Sequence, residues 1–242
     1  MAEDSEPVIA GPYALYDGSF ILEFLKPKPS RNASVLMRAT YKHDHPMCKL
    51  GRGHSQSPPL HIHFRQYESF SVLSGSVGTT STYTTIDTVH TPSTTGEASP
   101  HTMPPWTPHT FWPDPDARED TTILLWAHPN PDDMEDKMDR LFFQNLLMYV
   151  SDVAEGKERL SILQVMLVQH ASATAMIWFP TAWFLGPLRW WIPYQFQTIC
   201  VAIARLWGMK PLMKKYVSDE EWEEVQQRIE TAENGGVKRK LA

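Results

Sequence analysis

The stretch Pro58–Gly78, PPLHIHFRQYESFSVLSGSVG, decides how this 242-residue chain is read. It sets two histidines one residue apart, His61 and His63, in a short apolar run, followed by Glu68 and Gly75. On a strand, side chains two apart face the same side, so both imidazoles point one way. Two imidazoles on an inward face are costly without partners, and a bound metal ion would supply one. The five-residue step from His63 to Glu68 breaks the period of two. The residues between must therefore hold a turn or bulge, after which Glu68, Phe70 and Val72 share a face. Gly75 then makes the next tight turn.

Similar short runs lie on both sides. Ala33–Tyr41 (ASVLMRATY), Ser69–Val77, Thr80–Val89 (TSTYTTIDTV) and Thr121–Pro129 (TTILLWAHP) are rich in β-branched or aromatic residues and mostly bounded by Gly, Pro, Asn or Asp. They predict an all-β barrel or sandwich, with prolines gathered in the connections at Pro58-Pro59, Pro104-Pro105 and Pro113–Pro115. Downstream, HTMPPWTPHTFWPDPD (His101–Asp116) offers His109 after a proline-punctuated turn. Three imidazoles and one carboxylate suit a divalent transition metal such as Fe, Mn, Ni or Zn.

With these residues in place the pattern resembles the cupin family, whose first motif has the form G-x5-H-x-H-x3–4-E-x6-G. His61, His63, Glu68 and Gly75 match it, with Ser55 where the leading glycine would stand. Of the second motif, G-x5-P-x-G-x2-H-x3-N, Pro104 and His109 match. Ala98 and Trp106 replace its glycines, and Pro113 its asparagine. The resemblance covers about residues 30–130. It implies a mainly β, jelly-roll-like cupin barrel with a metal held by His61, His63, Glu68 and His109. The HTFW phrase and the apolar C-terminal half are similar to small cupins of fungal natural-product gene clusters. By that resemblance the expected function is a metal-dependent enzyme acting on a hydrophobic small molecule. The expected reaction is isomerisation, cyclisation or dehydration of a secondary-metabolite intermediate. The alternatives are an iron-dependent dioxygenase and a non-catalytic binder of a lipophilic ligand at a membrane surface. Trp106, Phe111 and Trp112 suggest the apolar substrate. No residue declares itself as the proton carrier. His101 is the best extra acid/base candidate; His43, His45, His54, His90 and His128 read as loop or strand-border residues, and His170 as packed or interfacial.

The character changes near residue 130. Residues 1–131 read as the barrel with an N-terminal arm, and 132–242 as a helical, strongly apolar C-terminal extension. Within Asp133–Gly156, Met138, Leu141, Phe142, Leu146 and Tyr149 recur at helical spacing, Asp132 or Asp133 can cap the start and Gly156 can end it. From Leu160 to Ala204 the only charged residue is Arg189. This block reads as a helical hairpin over about 160–208, turning at Gly186-Pro187. Its apolar surface would meet a membrane, the barrel or a second copy in a homodimer. Ser218 opens an amphipathic helix over about 218–234, with Trp222, Val225 and Ile229 inward.

The net charge of −6 argues against a nucleic-acid partner, which needs a concentrated basic surface. The terminal GGVKRKLA reads as a solvated tail. The N-terminal MAEDSEPVIAG lacks a secretory signal, and Cys48 and Cys200 show no metal or redox spacing. Cytoplasmic residence is the expectation, with membrane association as the variant that the apolar block allows.

Overall fold

The computed structural model describes residues 6–129, 136–223 and 225. Its strands are β1 (Val8–Leu15), β2 (Phe20–Leu25), β3 (Val35–Tyr41), β4 (His61–His63), β5 (Tyr67–Ser74), β6 (Val77–Ser81), β7 (Ile86–His90), β8 (His101–Met103), β9 (His109–Pro113), β10 (Thr121–His128) and β11 (Thr174–Met176). The C-terminal half carries α1 (Asp136–Ala154), α2 (Ile162–Ala171), α3 (Leu188–Leu206) and a further helical segment whose described part is 219–223 and 225. The strands form two antiparallel sheets, ordered β1-β2-β3-β10-β5-β8 and β11-β4-β9-β6-β7. The fold is thus mainly β with C-terminal helices, as the sequence predicts. Among the described residues no strand pair joins the sheets, so the expected barrel is an open two-sheet sandwich.

The core sits between the sheets. Alternation on β3 sends Val35, Met37, Ala39 and Tyr41 inward to meet Phe20, Leu22, Phe70, Val72, Phe111 and Ile123. Leu36 points the other way and joins Leu25, Ala33, Leu124 and Trp126 in a second cluster. Phe143 and Leu147 of α1 pack onto the open side of the main core. The chain turns back between β5 and β6 at Gly75, where φ is +68° and an added Cβ would lie 2.8 Å from Thr121 Cα. Only glycine fits both the left-handed backbone and that approach.

Three sequence expectations need amendment. The run Thr80–Val89 is not one strand but the tip of the β6–β7 hairpin. Thr82 and Thr85 take φ of +65° and +55° there, and Thr82 Oγ1 accepts from the Thr84 amide at 3.3 Å. The block over about 160–208 is not a plain helical hairpin. Its first arm ends at Ala171, β11 pairs with β4, and a 3-10 turn at Trp183–Leu185 precedes α3. No described helix is long and apolar enough to cross a membrane. Third, His54 does lie in the segment before β4 and His90 at the end of β7, but both are buried in the core, 2% and 4% exposed. Ser218 does cap the last helix, its hydroxyl accepting from the Glu221 amide at 3.3 Å. Trp222 and Val225 there pack with Leu141 and Leu212. Ile229, the remainder of the stretch expected to be helical to about residue 234, the tail GGVKRKLA and the expected caps Asp132 and Asp133 lie outside the described residues.

The two buried histidines make acid stability a readout of the core. The Gln56 amide donates to His54 Nδ1 at 3.0 Å, which leaves Nε2 as the protonated nitrogen, 2.9 Å from Ser19 Oγ. His90 is held by Thr79 Oγ1 and Thr95 Oγ1, each at 2.9 Å. Burial pushes both imidazoles down to about 4, helped by His45 and His101 respectively. The unfolded chain takes up these protons below about 6.5, whereas the fold excludes them until about 4. Stability is therefore complete above pH 6.5 and falls as the pH drops toward 4, by on the order of 1 kcal/mol per unit for each histidine. Urea unfolding between pH 7.5 and pH 4.5, on the native chain and on His90→Gln, checks this. The variant is expected to show the shallower slope.

Candidate metal centre

The opening stretch folds as its spacing dictates. β4 carries His61 and His63 on one face, a bend follows at residues 64–65, and β5 returns Glu68 to that face from the opposite sheet. His109 opens β9 and stands directly across from His61. The four side chains converge, each offering a ligand atom within 4.8 Å of the others. Ring centroids lie 4.6 Å apart for His61–His109, 5.1 Å for His61–His63 and 5.2 Å for His63–His109. His63, Glu68 and His109 are 7%, 7% and 1% exposed.

Backbone carbonyls set the imidazole orientation. His61 Nδ1 lies 3.0 Å from the Pro59 carbonyl and His109 Nδ1 2.8 Å from that of Thr107. A carbonyl only accepts, so Nδ1 is the donor in both, and Nε2 of each is left to face the cluster. Glu68 Oε2 is 3.0 Å from both His63 Nε2 and His109 Nε2. The His109 contact is a hydrogen bond. The His63 contact is close but poorly aligned, so that buried nitrogen has no hydrogen-bond partner.

Electrostatics follow from this packing. Burial alone would raise the Glu68 carboxyl, but His109 and His63 beside it hold it well below the usual range. Burial opposes charge on His109, yet the hydrogen bond and charge of Glu68 outweigh it and raise that imidazole. His61 is pushed down to about 3 by burial and by the neighbouring His109 and His63. At neutral pH the cluster thus holds a carboxylate and a neutral His61, both in the state that metal ligation requires. A buried nitrogen without a partner, a buried carboxylate and two pre-oriented imidazoles fit a divalent transition metal.

The cluster opens onto a cavity of about 140 Å³ between the sheets. Its walls are apolar, from Phe20, Leu22, Met37, Phe111, Ile123 and Leu125, and α1 covers it with Phe142, Phe143, Leu146 and Leu147. Tyr41, Gln56, Gln169, Ser172 and Thr174 supply its polar atoms. Of the aromatics expected to face a substrate, Phe111 alone lines this space. Trp112 takes the opposite face of β9, where its indole donates to Thr80 Oγ1 at 3.1 Å. Trp106 packs on Phe64 and Trp190. His101 packs on His90 and Phe70, is not a cavity residue, and has its imidazole lowered by burial and by His109. His170 is packed, stacked on Tyr194 at 5.9 Å.

Two parts of the site were hidden in the sequence. One is the α1 cover. The other is β11, which pairs Thr174 with His63 and Met176 with His61. TAM, preceded by ASA, carries no strand signal of its own.

No family model matches the chain. Over 171 residues it is 30% identical to oxidoreductase iacF of Pestalotiopsis fici, covering 67% of this chain and 78% of that protein. The chain belongs to the iacF family of fungal proteins. It is also 29% identical to epoxidase atD of Aspergillus terreus over 84% of its own length, a match spanning 62% of atD. Among solved structures, the polyketide cyclase RemF from Streptomyces resistomycificus aligns with 52% of this chain and 75% of its own, at 19% identity and a TM-score of 0.32.

Because His109 carries its proton toward Glu68, a metal ion that takes both groups must displace that proton. Apparent Zn²⁺ affinity is therefore expected to fall about tenfold per unit as the pH drops below the raised His109 value. Chelator competition between pH 5.5 and pH 8 measures it. A flat profile would remove the His109 proton from the cluster.

Proposed function

We propose that this chain is a metal-dependent oxidoreductase that takes a hydrophobic small molecule into the cavity between its sheets. His61, His63, Glu68 and His109 are its metal ligands in this reading. The observation that carries it is the convergence of these four donors, of which His61, His63 and Glu68 line an apolar cavity. When bound there, a divalent ion such as iron supplies redox or Lewis-acid chemistry at coordination positions left to substrate. The names of iacF and atD favour the oxidative branch, with dioxygen as the co-substrate to test.

The chain's own residues do the rest. Pro59 and Thr107 carbonyls lock the His61 and His109 rings, so the donor set is pre-organised. Phe111, Ile123, Leu125 and the α1 side chains hold the apolar body of the substrate and keep bulk water from the reacting centre. Tyr41, whose hydroxyl donates to Gln56, sits on the cavity wall where it can orient a polar substituent.

Metal analysis of the chain purified without added metal or chelator is the primary test. One equivalent is expected in the native protein, and less than about a tenth of that in His63→Ala and Glu68→Ala, because each variant removes a ligand from a buried set. A native site that stays empty after reconstitution with iron, manganese, nickel and zinc would overturn the metalloenzyme reading. With the loaded protein, an oxygen electrode then separates the branches over a panel of lipophilic phenols and ketones. Uptake of dioxygen supports the oxidoreductase. Turnover without uptake would return the reaction to isomerisation, cyclisation or dehydration.

A further inference from the structure

The C-terminal half leaves one large surface that the cavity chemistry does not use. α3 is apolar on two faces. Pro193, Gln197, Cys200, Val201 and Ala204 form its buried side, with Gln197 donating to the Thr174 carbonyl at 2.9 Å. Opposite them, Leu188, Ile192, Phe196, Ile199, Ile203 and Leu206 recur every three or four residues and all face solvent. At about 1.5 Å per residue this stripe runs roughly 28 Å. Ahead of it a loop projects Phe179, Trp183 and Phe184, at 69%, 81% and 73% exposure, and Trp207 ends it at 73%. Patches of this extent are seldom left in water.

Charge selects the occupant. From Leu160 to Ser218 there is no Asp or Glu, against five Lys and Arg, while the rest of the chain holds 17 basic and 28 acidic residues, a net −11. Lys214 and Lys215 are paired with Asp219, Asp152 and Glu158. The two arginines on α3, Arg189 and Arg205, bracket the stripe. Arg189 is turned onto its own chain, held by the Pro180 and Gly186 carbonyls and stacked 3.9 Å above the Tyr83 ring, and pairs with no carboxylate among the described residues. A two-fold pairing of α3 stripes between copies would set arginine against arginine whichever way the helices run, with no carboxylate on the segment to offset them. An anionic bilayer surface satisfies both features. Its acyl region takes up the apolar stripe, tryptophans favour the headgroup level, and lipid phosphates and carboxylates meet the exposed Arg205.

We propose that the Phe179–Trp207 face docks the protein in the plane of an anionic lipid surface, without spanning it. The full chain is sedimented with vesicles of phosphatidylcholine alone and of phosphatidylcholine with phosphatidylserine at about 7:3. Binding is expected to be roughly tenfold stronger to the anionic vesicles and to weaken as salt is raised. Trp183→Glu combined with Phe184→Glu is expected to cost at least about tenfold, and Arg205→Glu to remove most of the preference for anionic lipid. Thermal melting of each variant confirms that these exposed sites leave the fold intact. Failure to sediment with either vesicle, or equal binding to both, overturns the proposal. So does a lipid-free dimer by light scattering that the same substitutions dissolve, which would assign the face to a second copy. None of these outcomes depends on metal content, so this proposal and the metal reading fail separately.

Discussion

Glu68 belongs to one sheet, His61, His63 and His109 to the other, and among the described residues no backbone ladder connects the two. The 3.0 Å hydrogen bond from His109 to Glu68 is thus a polar tie across a mostly apolar gap. A carboxylate buried this deeply is tolerated only when something opposite it carries positive charge. The protonated His109 does so in the metal-free chain, and a divalent ion would do so more fully. The pairing also fixes register. If β5 slipped by one residue, Glu68 would leave the interior and Phe70 would leave the core with it. The same alternation that buries Phe70 and Val72 therefore aims the carboxylate.

The histidine strand itself is weakly anchored from within the β half. β4 has three residues and meets β9 at a single registered pair, His61 with His109. Its longer ladder is with β11, from the far end of the chain. β11 in turn is pinned by Gln197 of α3 through the Thr174 carbonyl. The C-terminal half is consequently part of the donor geometry, and α1 closes the cavity that the donors face. A sandwich of the first 131 residues would present two imidazoles on an edge strand with one flank unpaired, a poor scaffold for a site needing ring positions fixed within a fraction of an ångström.

What the sequence revealed, and what it concealed, follows the range of the forces involved. His61, His63, Glu68 and Gly75 could be read because strand periodicity and left-handed turns act over a few residues. β11 could not, since a three-residue strand has no propensity of its own and exists because β4 offers it an edge. The β6–β7 turn was masked because threonines at 82 and 85 take the positive φ usually marked by Gly or Asn. Composition lets Trp106, Phe111 and Trp112 alike suggest an apolar substrate, whereas pleat direction decides that Phe111 and not Trp112 enters the cavity. His54 and His90 looked like loop polarity because their hydroxyl partners, Ser19 and Thr95 among them, are unremarkable until the fold assembles them.

The donor set and the cavity place different demands on the ion. Imidazole and carboxylate sites bind first-row divalent metals in an order that rises from manganese and iron toward copper. Three histidines and a glutamate on their own would therefore favour later metals over iron. Oxidative chemistry on an apolar guest needs an ion that changes oxidation state, whereas polarising a carbonyl does not. Since the four donors would not enforce redox activity, in the proposed metal reading the reaction class would depend on which ion they hold and which positions the guest leaves open. The cavity contributes the second condition. Its apolar walls and α1 cover exclude bulk water around the donors, which strengthens every charge interaction there. On the proposed reading the chain would determine who enters and how the donors point, while the identity of the metal would determine whether electrons or only protons move.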